Sequence, residues 1–560
     1  MTDIRALLTS VYHDSDVDKL MVGIDQLIQS YQKKVSLDPL ELDESDVLMI
    51  TYGDQVHRPG EAKLSSLKAF LDEHLANSIK LVHLLPFYPY SSDDGFSVID
   101  YYEVNEDMGD WSDIDELSKN YSLMFDGVIN HISQESDWLK GYLQGKKEYA
   151  GYFKEADPSE DFSAVTRPRT SPVFHEFVDH QGESKYLWTT FSKDQVDLNY
   201  ETPELFLQVL DVMLFYLSNG AKLLRLDAIG FMWKEKGSTC IHLPQAHALI
   251  QVMRQVLEKI YPDVVLISET NVPHQENITY FGNGYNEAKM VYNFTLPPLL
   301  AFSLLSQSTA KFRDWASSLE LPSDQVCFFN FTASHDGVGV RPVQGILTDD
   351  ELNVLVDSVK HNNGFVSYKT NPDGSESPYE LNCNYKSLLK GVDNNSDFAL
   401  KRFLLSQAVM MCMPGLPAIY FHSLVGSENF TEGVKQTGRN RTINREKLDL
   451  NDLNDQLKDN SSDRAKILTR IKQLIKIRAS FSCFNPFASF SIPEIEDGLL
   501  CIARTSRDNQ ITLKCVFNFT AHQKANPYAA GADVLTGKPA PNHIDAFGFV
   551  WINENASHFE

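Results

Sequence analysis

The chain has no run of about 18 consecutive apolar residues, the length a membrane-crossing helix needs, so no spanning segment is expected. Its first residues, MTDIRALLTSVYHDSD, are broken by acids and lack the apolar centre of a secretory signal. Cysteine is scarce: seven residues, at 240, 327, 383, 412, 483, 501 and 515, with no CxxC pair. An odd, scattered set without a leader points to free thiols in a reducing cytoplasm and gives a zinc site no support. Basic residues are outnumbered, 50 Lys and Arg against 76 Asp and Glu, for a formal net charge of −26. Such a field disfavours nucleic acid and anionic membrane as partners, and a phosphate or carboxylate ligand would need local Arg or Lys to overcome it. Internal repeats and low-complexity segments are also missing.

What is present is an ordinary globular composition, 42% hydrophobic and 22% charged, in 560 residues. Eight short apolar runs stand out: 47–52, 80–86, 123–129, 222–227, 264–268, 290–294, 326–331 and 416–421. They lack strict alternation, as strands covered on both faces do. Helical patterns lie between several of them, for example 203–217, with Pro203 in the first turn and Gly220 after the end, and 247–260. Strand-like runs alternating with helices predict a (β/α)₈ barrel. Residues 1–131 and 196–484 are assigned to that barrel, with a helical extension at the N-terminus. Two stretches exceed simple barrel loops: 132–195 after the third run, and 337–398 after the seventh, which contains the turn signal Asn371-Pro-Asp-Gly374. Residues 485–560, with strand-like runs at 499–504 and 511–517, form a small C-terminal β domain.

Barrel chemistry sits at the carboxyl ends of the strands. Polar residues gather there: Asp54, Asn130-His131, Asp227, Glu269 and His335-Asp336. Arg225 and Asp227 share one strand face, and the Arg charge favours an ionised Asp227, which suits a nucleophile; a structural ion pair is the alternative. Glu269 closes the next strand and suits an acid/base, or a structural hydrogen-bonder. Asp336 suits sugar binding and stabilisation of an oxocarbenium-like state, although His-Asp pairs are also common in turns. As a set they match retaining glycoside chemistry, which places a nucleophilic and an acid/base carboxyl about 5 Å apart.

The segments Asp126-Gly-Val-Ile-Asn-His131, Arg225-Leu-Asp-Ala-Ile229, Glu269 after Leu-Ile-Ser, and Ala333-Ser-His-Asp336 resemble, in order, the four conserved regions of the α-amylase superfamily, glycoside hydrolase family 13. Thr51-Tyr-Gly-Asp54, Leu84-Leu-Pro-Phe87, Ser91-Ser-Asp-Asp-Gly-Phe-Ser-Val-Ile-Asp-Tyr101 and Gly438-Arg-Asn-Arg-Thr-Ile-Asn-Arg445 are similar to its sucrose phosphorylase subfamily. The chain length, the N-terminal extension, Gly230-Phe-Met-Trp-Lys-Glu235 and the segment from Asn371 to Glu380 look most like glucosylglycerate phosphorylases. The resemblance implies reversible, retaining phosphorolysis of 2-O-α-D-glucosyl-D-glycerate to α-D-glucose 1-phosphate and D-glycerate. It implies Asp227 as nucleophile, Glu269 as acid/base and Asp336 as transition-state stabiliser. Asp54, Tyr101, His131, Arg225, His335 and Arg445 correspond to the surroundings of the glucose. Sucrose phosphorylases carry His where this chain has Tyr101.

Arg167 and Arg169, in Thr166-Arg-Pro-Arg169, correspond to the acceptor and phosphate side, as do Tyr379 and Glu380; two surface arginines on a Pro-stiffened loop are the alternative. Lys234-Glu-Lys236 reads as a solvated charge cluster or as a rim of the acceptor site. The resemblance implies no cofactor and no metal, only small-molecule partners, the cytoplasm as compartment and, by analogy, a homodimer. Sucrose, sucrose 6′-phosphate and glucosylglycerol phosphorolysis, plain α-glucoside hydrolysis, and a non-catalytic relative are the competing readings.

Overall fold

The computed structural model describes residues 3–554 apart from 170, 371–374 and 394, so the predicted turn Asn371–Gly374 lies outside the described residues. Eight parallel strands close a barrel: β1 (Leu48–Thr51), β2 (Leu81–Leu84), β3 (Ser122–Gly127), β4 (Ala221–Leu226), β5 (Val265–Ser268), β6 (Met290–Tyr292), β7 (Cys327–Phe331) and β8 (Leu416–Tyr420). Each pairs with its sequence neighbour, and β1 closes onto β8 with Leu48 opposite Ala418. Every predicted apolar run coincides with one of these strands. The residues are almost all buried because the barrel interior covers one face and helices cover the other. The helix predicted at 203–217 spans Pro203–Ser218, and the one predicted at 247–260 starts earlier, at Pro244, and ends at Ile260. Both begin with Pro, whose missing N–H costs nothing in a first turn.

The N-terminal helices Ile4–Thr9 and Asp14–Tyr31 pack on these same two helices. Tyr31 Oη donates to Asp211 at 3.0 Å and Tyr12 Oη to the Tyr200 carbonyl at 2.8 Å. The segment after β3 begins with an antiparallel clasp, His131–Ser133 against Gln195–Asp197, and carries the hairpin Phe174–Val178 and Ser184–Trp188. The segment after β7 carries the helix Asp349–His361 and a three-stranded sheet of Val338–Gly339, Phe365–Thr370 and Glu376–Asn382. All seven cysteines are free and buried. Among the described residues, no helix is long and apolar enough to cross a membrane.

A six-stranded antiparallel sheet follows the barrel, built around Leu499–Thr505, Thr512–Asn518 and Phe549–Asn553. Arg504 ties it down. This fully buried side chain leaves its strand and donates to the carbonyls of Cys412 (3.2 Å) and Met413 (2.7 Å), at the end of the helix Ser396–Cys412 that precedes β8. It also donates to the Asn485 carbonyl at 2.9 Å. A cation at a helix carboxyl end satisfies carbonyls that no helical N–H reaches. Arg504→Ala should therefore cost about 3 kcal/mol or more, because charged hydrogen bonds vanish and buried acceptors lose their donor. A shift of the urea denaturation midpoint measures this; an unchanged midpoint would show that the anchor contributes nothing.

Candidate active site

The site is assembled on β4. Arg225 stands in register with Asp126 of β3 and Ile267 of β5, with 2% of its surface exposed. Its Nη1 donates to the carboxylates of Asp126 and, at 2.9 Å, of Asp227, the residue that follows the strand. Its Nη2 lies 3.7 Å from Glu269 Oε2, at the end of β5. His83 of β2 holds the other oxygen of Asp126 at 2.7 Å. Ala228 adopts a φ of +49°, uncommon for a residue with a Cβ. That turn aims its N–H at Glu269 Oε2, 3.1 Å away, so the backbone strain helps place the carboxyl.

The third acid arrives from β7. Asp336 is ion-paired with Arg441, and its other oxygen lies 3.5 Å from His335 Nε2. The His335 ring stacks on Phe96, with centroids 4.6 Å apart and planes within 6°. Arg445 lies behind, donating to the His335 carbonyl at 2.8 Å and to Asp94 Oδ2 at 2.8 Å. The segment Asp93-Asp94-Gly95 turns with three successive positive φ values, +53°, +50° and +110°. At the third, a Cβ would meet the Pro86 carbonyl oxygen at 2.5 Å, so the turn requires glycine.

Asp227, Glu269 and Asp336 line a common cavity of about 90 Å³ with Asp93, Phe96, His131, Gln195 and His335. Thr270, Asn271, Arg169, Arg341, Tyr379, Glu380 and Arg441 complete much of the lining. A wider cleft of about 420 Å³ shares Asp93, Arg169, Gln195, Glu380 and Arg441 with it and reaches Arg439 and Arg445.

Three acids in an enclosed space cannot all ionise freely. Burial raises the Asp227 carboxyl well above the ordinary range; Arg225 opposes this and the Glu269 charge adds to it. Glu269 is raised by burial too, against Arg225, with the Asp336 charge adding to the rise. Asp336 goes the other way: burial would raise it, but Arg441, His335 and Arg445 together hold it well below the usual carboxylate range. The Asp227/Glu269 pair therefore retains a proton that Asp336 does not. Arg225 is nearer to Asp227 than to Glu269. Burial pushes His335 down to about 3, leaving it neutral.

Of the other residues singled out in the sequence, His131, His335, Arg169, Tyr379 and Glu380 line the cavity, Arg225 lies beneath the acids, and Arg445 lines only the wider cleft. Asp54, Tyr101 and Arg167 line neither space. Asp54 gives its carboxylate to Lys447 at 2.6 Å, where that ammonium also covers the Tyr52 ring. Tyr101 is buried behind His131, and its hydroxyl is used on the carbonyls of Val128 (2.8 Å) and His131 (3.1 Å). Arg167 is exposed and donates to the Ser171 carbonyl. Glu380 is tied up as well, accepting Arg441 Nε at 3.0 Å and Nη2 at 2.6 Å.

Lys234 corrects the solvated-cluster reading. It is buried against Asp197 at 2.7 Å and donates to Asn130 Oδ1 at 3.1 Å, next to His131. Asp93, Phe96, Gln195, Asn271, Arg341 and Arg441 are cavity residues that sequence reasoning did not single out. Asp93 and Arg441 belong to the Ser91–Tyr101 and Gly438–Arg445 motifs, so the Asp-Asp-Gly turn and the second Arg of Arg-Asn-Arg are the available signals.

The model of the α-amylase catalytic domain matches residues 77–340. A glucosylglycerate phosphorylase of Spirochaeta thermophila is 45% identical over 523 residues, covering 92% of this chain and 88% of the relative. The chain belongs to the α-amylase family. Within that family it is sucrose phosphorylase-like. A glucosylglycerate phosphorylase of Escherichia coli is 44% identical, covering 90% of both chains. The crystal structure of sucrose 6F-phosphate phosphorylase from Thermoanaerobacter thermosaccharolyticum superposes with a TM-score of 0.74 at 23% identity, covering 86% of this chain and 95% of that one. It shares the barrel fold.

The raised Glu269 carboxyl has a measurable consequence. A carboxyl whose folded-state pKa exceeds its unfolded value loses stability for the protein as pH rises through the ordinary carboxylate range toward the folded value. Glu269→Gln keeps the shape and removes that loss. Its melting temperature should match the parent near pH 4 and exceed it by about 1–2 °C at pH 7. A variant that melts lower at pH 7 than at pH 4, relative to the parent, would reverse the assigned direction.

Proposed function

We propose that this protein is a retaining glucosylglycerate phosphorylase. It transfers the glucosyl group of 2-O-α-D-glucosyl-D-glycerate to inorganic phosphate. The observation that carries the reading is the 44–45% identity to two such enzymes over about nine-tenths of the chain, combined with three converging carboxyls at the barrel mouth.

In the first half-reaction Asp227, ionised beside Arg225, attacks the anomeric carbon. The Glu269 carboxyl donates its proton to the departing oxygen of glycerate. Both carboxyls lie at one guanidinium, which suits the close pairing of about 5 Å in retaining chemistry. Asp336, fully ionised, faces the positive charge that develops on the sugar ring. In the second half-reaction phosphate attacks the glucosyl–Asp227 ester, and Glu269 takes the phosphate proton. Two inversions return the α configuration.

Transfer to phosphate rather than water requires an anion site. Arg169 lines both the cavity and the wider cleft and makes no ion pair among the described residues. A guanidinium in that position suits a phosphate entering by the cleft. No chemistry here calls for a cofactor. The reading places the enzyme in the cytoplasm, where its anionic substrates are found.

The test is incubation with glucosylglycerate, with and without phosphate. Phosphate-dependent release of α-glucose 1-phosphate is expected. Asp227→Ala should reduce it on the order of 10⁴-fold or more. Free glucose as the sole sugar product under both conditions would instead identify a hydrolase.

A further inference from the structure

The wall beyond Glu269 carries polar atoms that the two half-reactions leave unused. Thr270 and Asn271 follow Glu269 directly, and both line the cavity. Thr270 Oγ1 and Asn271 Oδ1 are buried, with no hydrogen-bond partner among the described residues. Buried polar atoms are rarely left unpaired, and in a ligand cavity a ligand is the natural partner. The departing oxygen must lie at Glu269, so these atoms belong to the part of the substrate beyond that oxygen.

Arg341 stands on the same wall. The Asn271 amide packs so closely on Gly339, two residues before Arg341, that a Cβ there would lie 2.3 Å from Asn271 Nδ2. Val338–Gly339 pairs with Glu380 and Leu381, and the Val340 N–H donates to the Tyr379 carbonyl at 3.1 Å. These bonds fix the backbone that presents Arg341 to the cavity.

The three cavity arginines are not equivalent. Arg441 is committed to Asp336 and Glu380. Arg169 also borders the wider cleft, whereas Arg341 lines only the inner cavity. Its ion pair with Glu276 is long at 3.7 Å, and that carboxylate is 44% exposed, so water screens it. The neighbouring Lys369 ammonium is held below its ordinary range by burial and by the Arg341 charge.

We propose that Arg341 and Asn271 read the acceptor, Arg341 pairing with the carboxylate of a small hydroxy acid and Asn271 with its terminal hydroxyl. Arg341 thereby sets the preference for an acidic acceptor over a neutral polyol of the same size. A planar guanidinium matches a carboxylate through paired hydrogen bonds, and a neutral polyol would leave it unpaired. This rests on the phosphorylase reading above and adds the residues that choose the acceptor.

The experiment runs in the synthetic direction, with glucose 1-phosphate as donor and D-glycerate or glycerol as acceptor. Exchange of labelled phosphate into glucose 1-phosphate is measured in parallel, because it reports glucosylation of Asp227 and the phosphate site without any carbon acceptor. Arg341→Gln should lower kcat/KM for glycerate about 10- to 100-fold, the scale of a lost charged hydrogen-bond pair. It should leave phosphate exchange and transfer to glycerol within about threefold. Arg341→Lys should recover part of the loss, and Asn271→Ala should weaken both acceptors together.

Unchanged transfer to glycerate in Arg341→Gln overturns the proposal. So does a parallel loss of phosphate exchange, which would mark Arg341 as a phosphate or structural residue. If the parent enzyme exchanges phosphate but transfers nothing to glycerate, the substrate reading falls and this assignment with it. That outcome is distinct from a parent that favours glycerate and a variant that still does.

Discussion

One buried cation organises this molecule. Arg225 lies in the barrel interior with Asp126, Asp227 and Glu269 around its guanidinium. Removing such a charge from water is costly unless its partners are close and well oriented. Asp126, braced by His83, supplies a permanent counter-charge. The remaining attraction is divided unequally, with Asp227 at 2.9 Å and Glu269 at 3.7 Å from the guanidinium, and the proposed division into nucleophile and acid rests on that inequality. Asp336 is held low chiefly by a second set of cations, Arg441 and Arg445, and its negative charge in turn raises the carboxyls of the pair.

The barrel makes this arrangement affordable. Its strands are buried on both faces, so Arg225 and Asp126 are held in register by the same hydrogen bonds that build β3 and β4. The segments after β3 and β7 then add charges that the strands cannot carry: Arg169 from one, Arg341, Tyr379 and Glu380 from the other. Rigid strands hold Arg225 and the acids at their ends, and longer loops hold the groups proposed to distinguish one acceptor from another.

Most of the scaffold was legible in the sequence. Eight apolar runs named eight strands because a strand buried on both faces leaves a continuous apolar signature. Asp227, Glu269 and His335-Asp336 were legible because strand ends in a barrel converge. The positions that differ from the sequence reading have a common cause. Asp54, Tyr101 and Arg167 had the right chemistry near the right motifs, but side-chain partners decide direction, and Lys447, two carbonyls and the Ser171 carbonyl claim them. Lys234 looked like a surface charge in Lys-Glu-Lys, yet Asp197, 37 residues earlier, buries it. Asp93, Gln195, Arg341 and Arg441 come together only through turns and hairpins, where sequence spacing says little about distance.

The central claim is that a glucosyl group rests on Asp227 between two half-reactions. Trapping tests it most directly. Glucosyl fluoride, whose leaving group needs no acid, is given to the Glu269→Gln enzyme without phosphate, and the quenched protein is digested and mapped by mass spectrometry. The account predicts one glucosyl adduct, on the β4 peptide at Asp227, that phosphate discharges as α-glucose 1-phosphate. An adduct on another carboxylate, or fluoride release with no adduct and β-configured product, would contradict it.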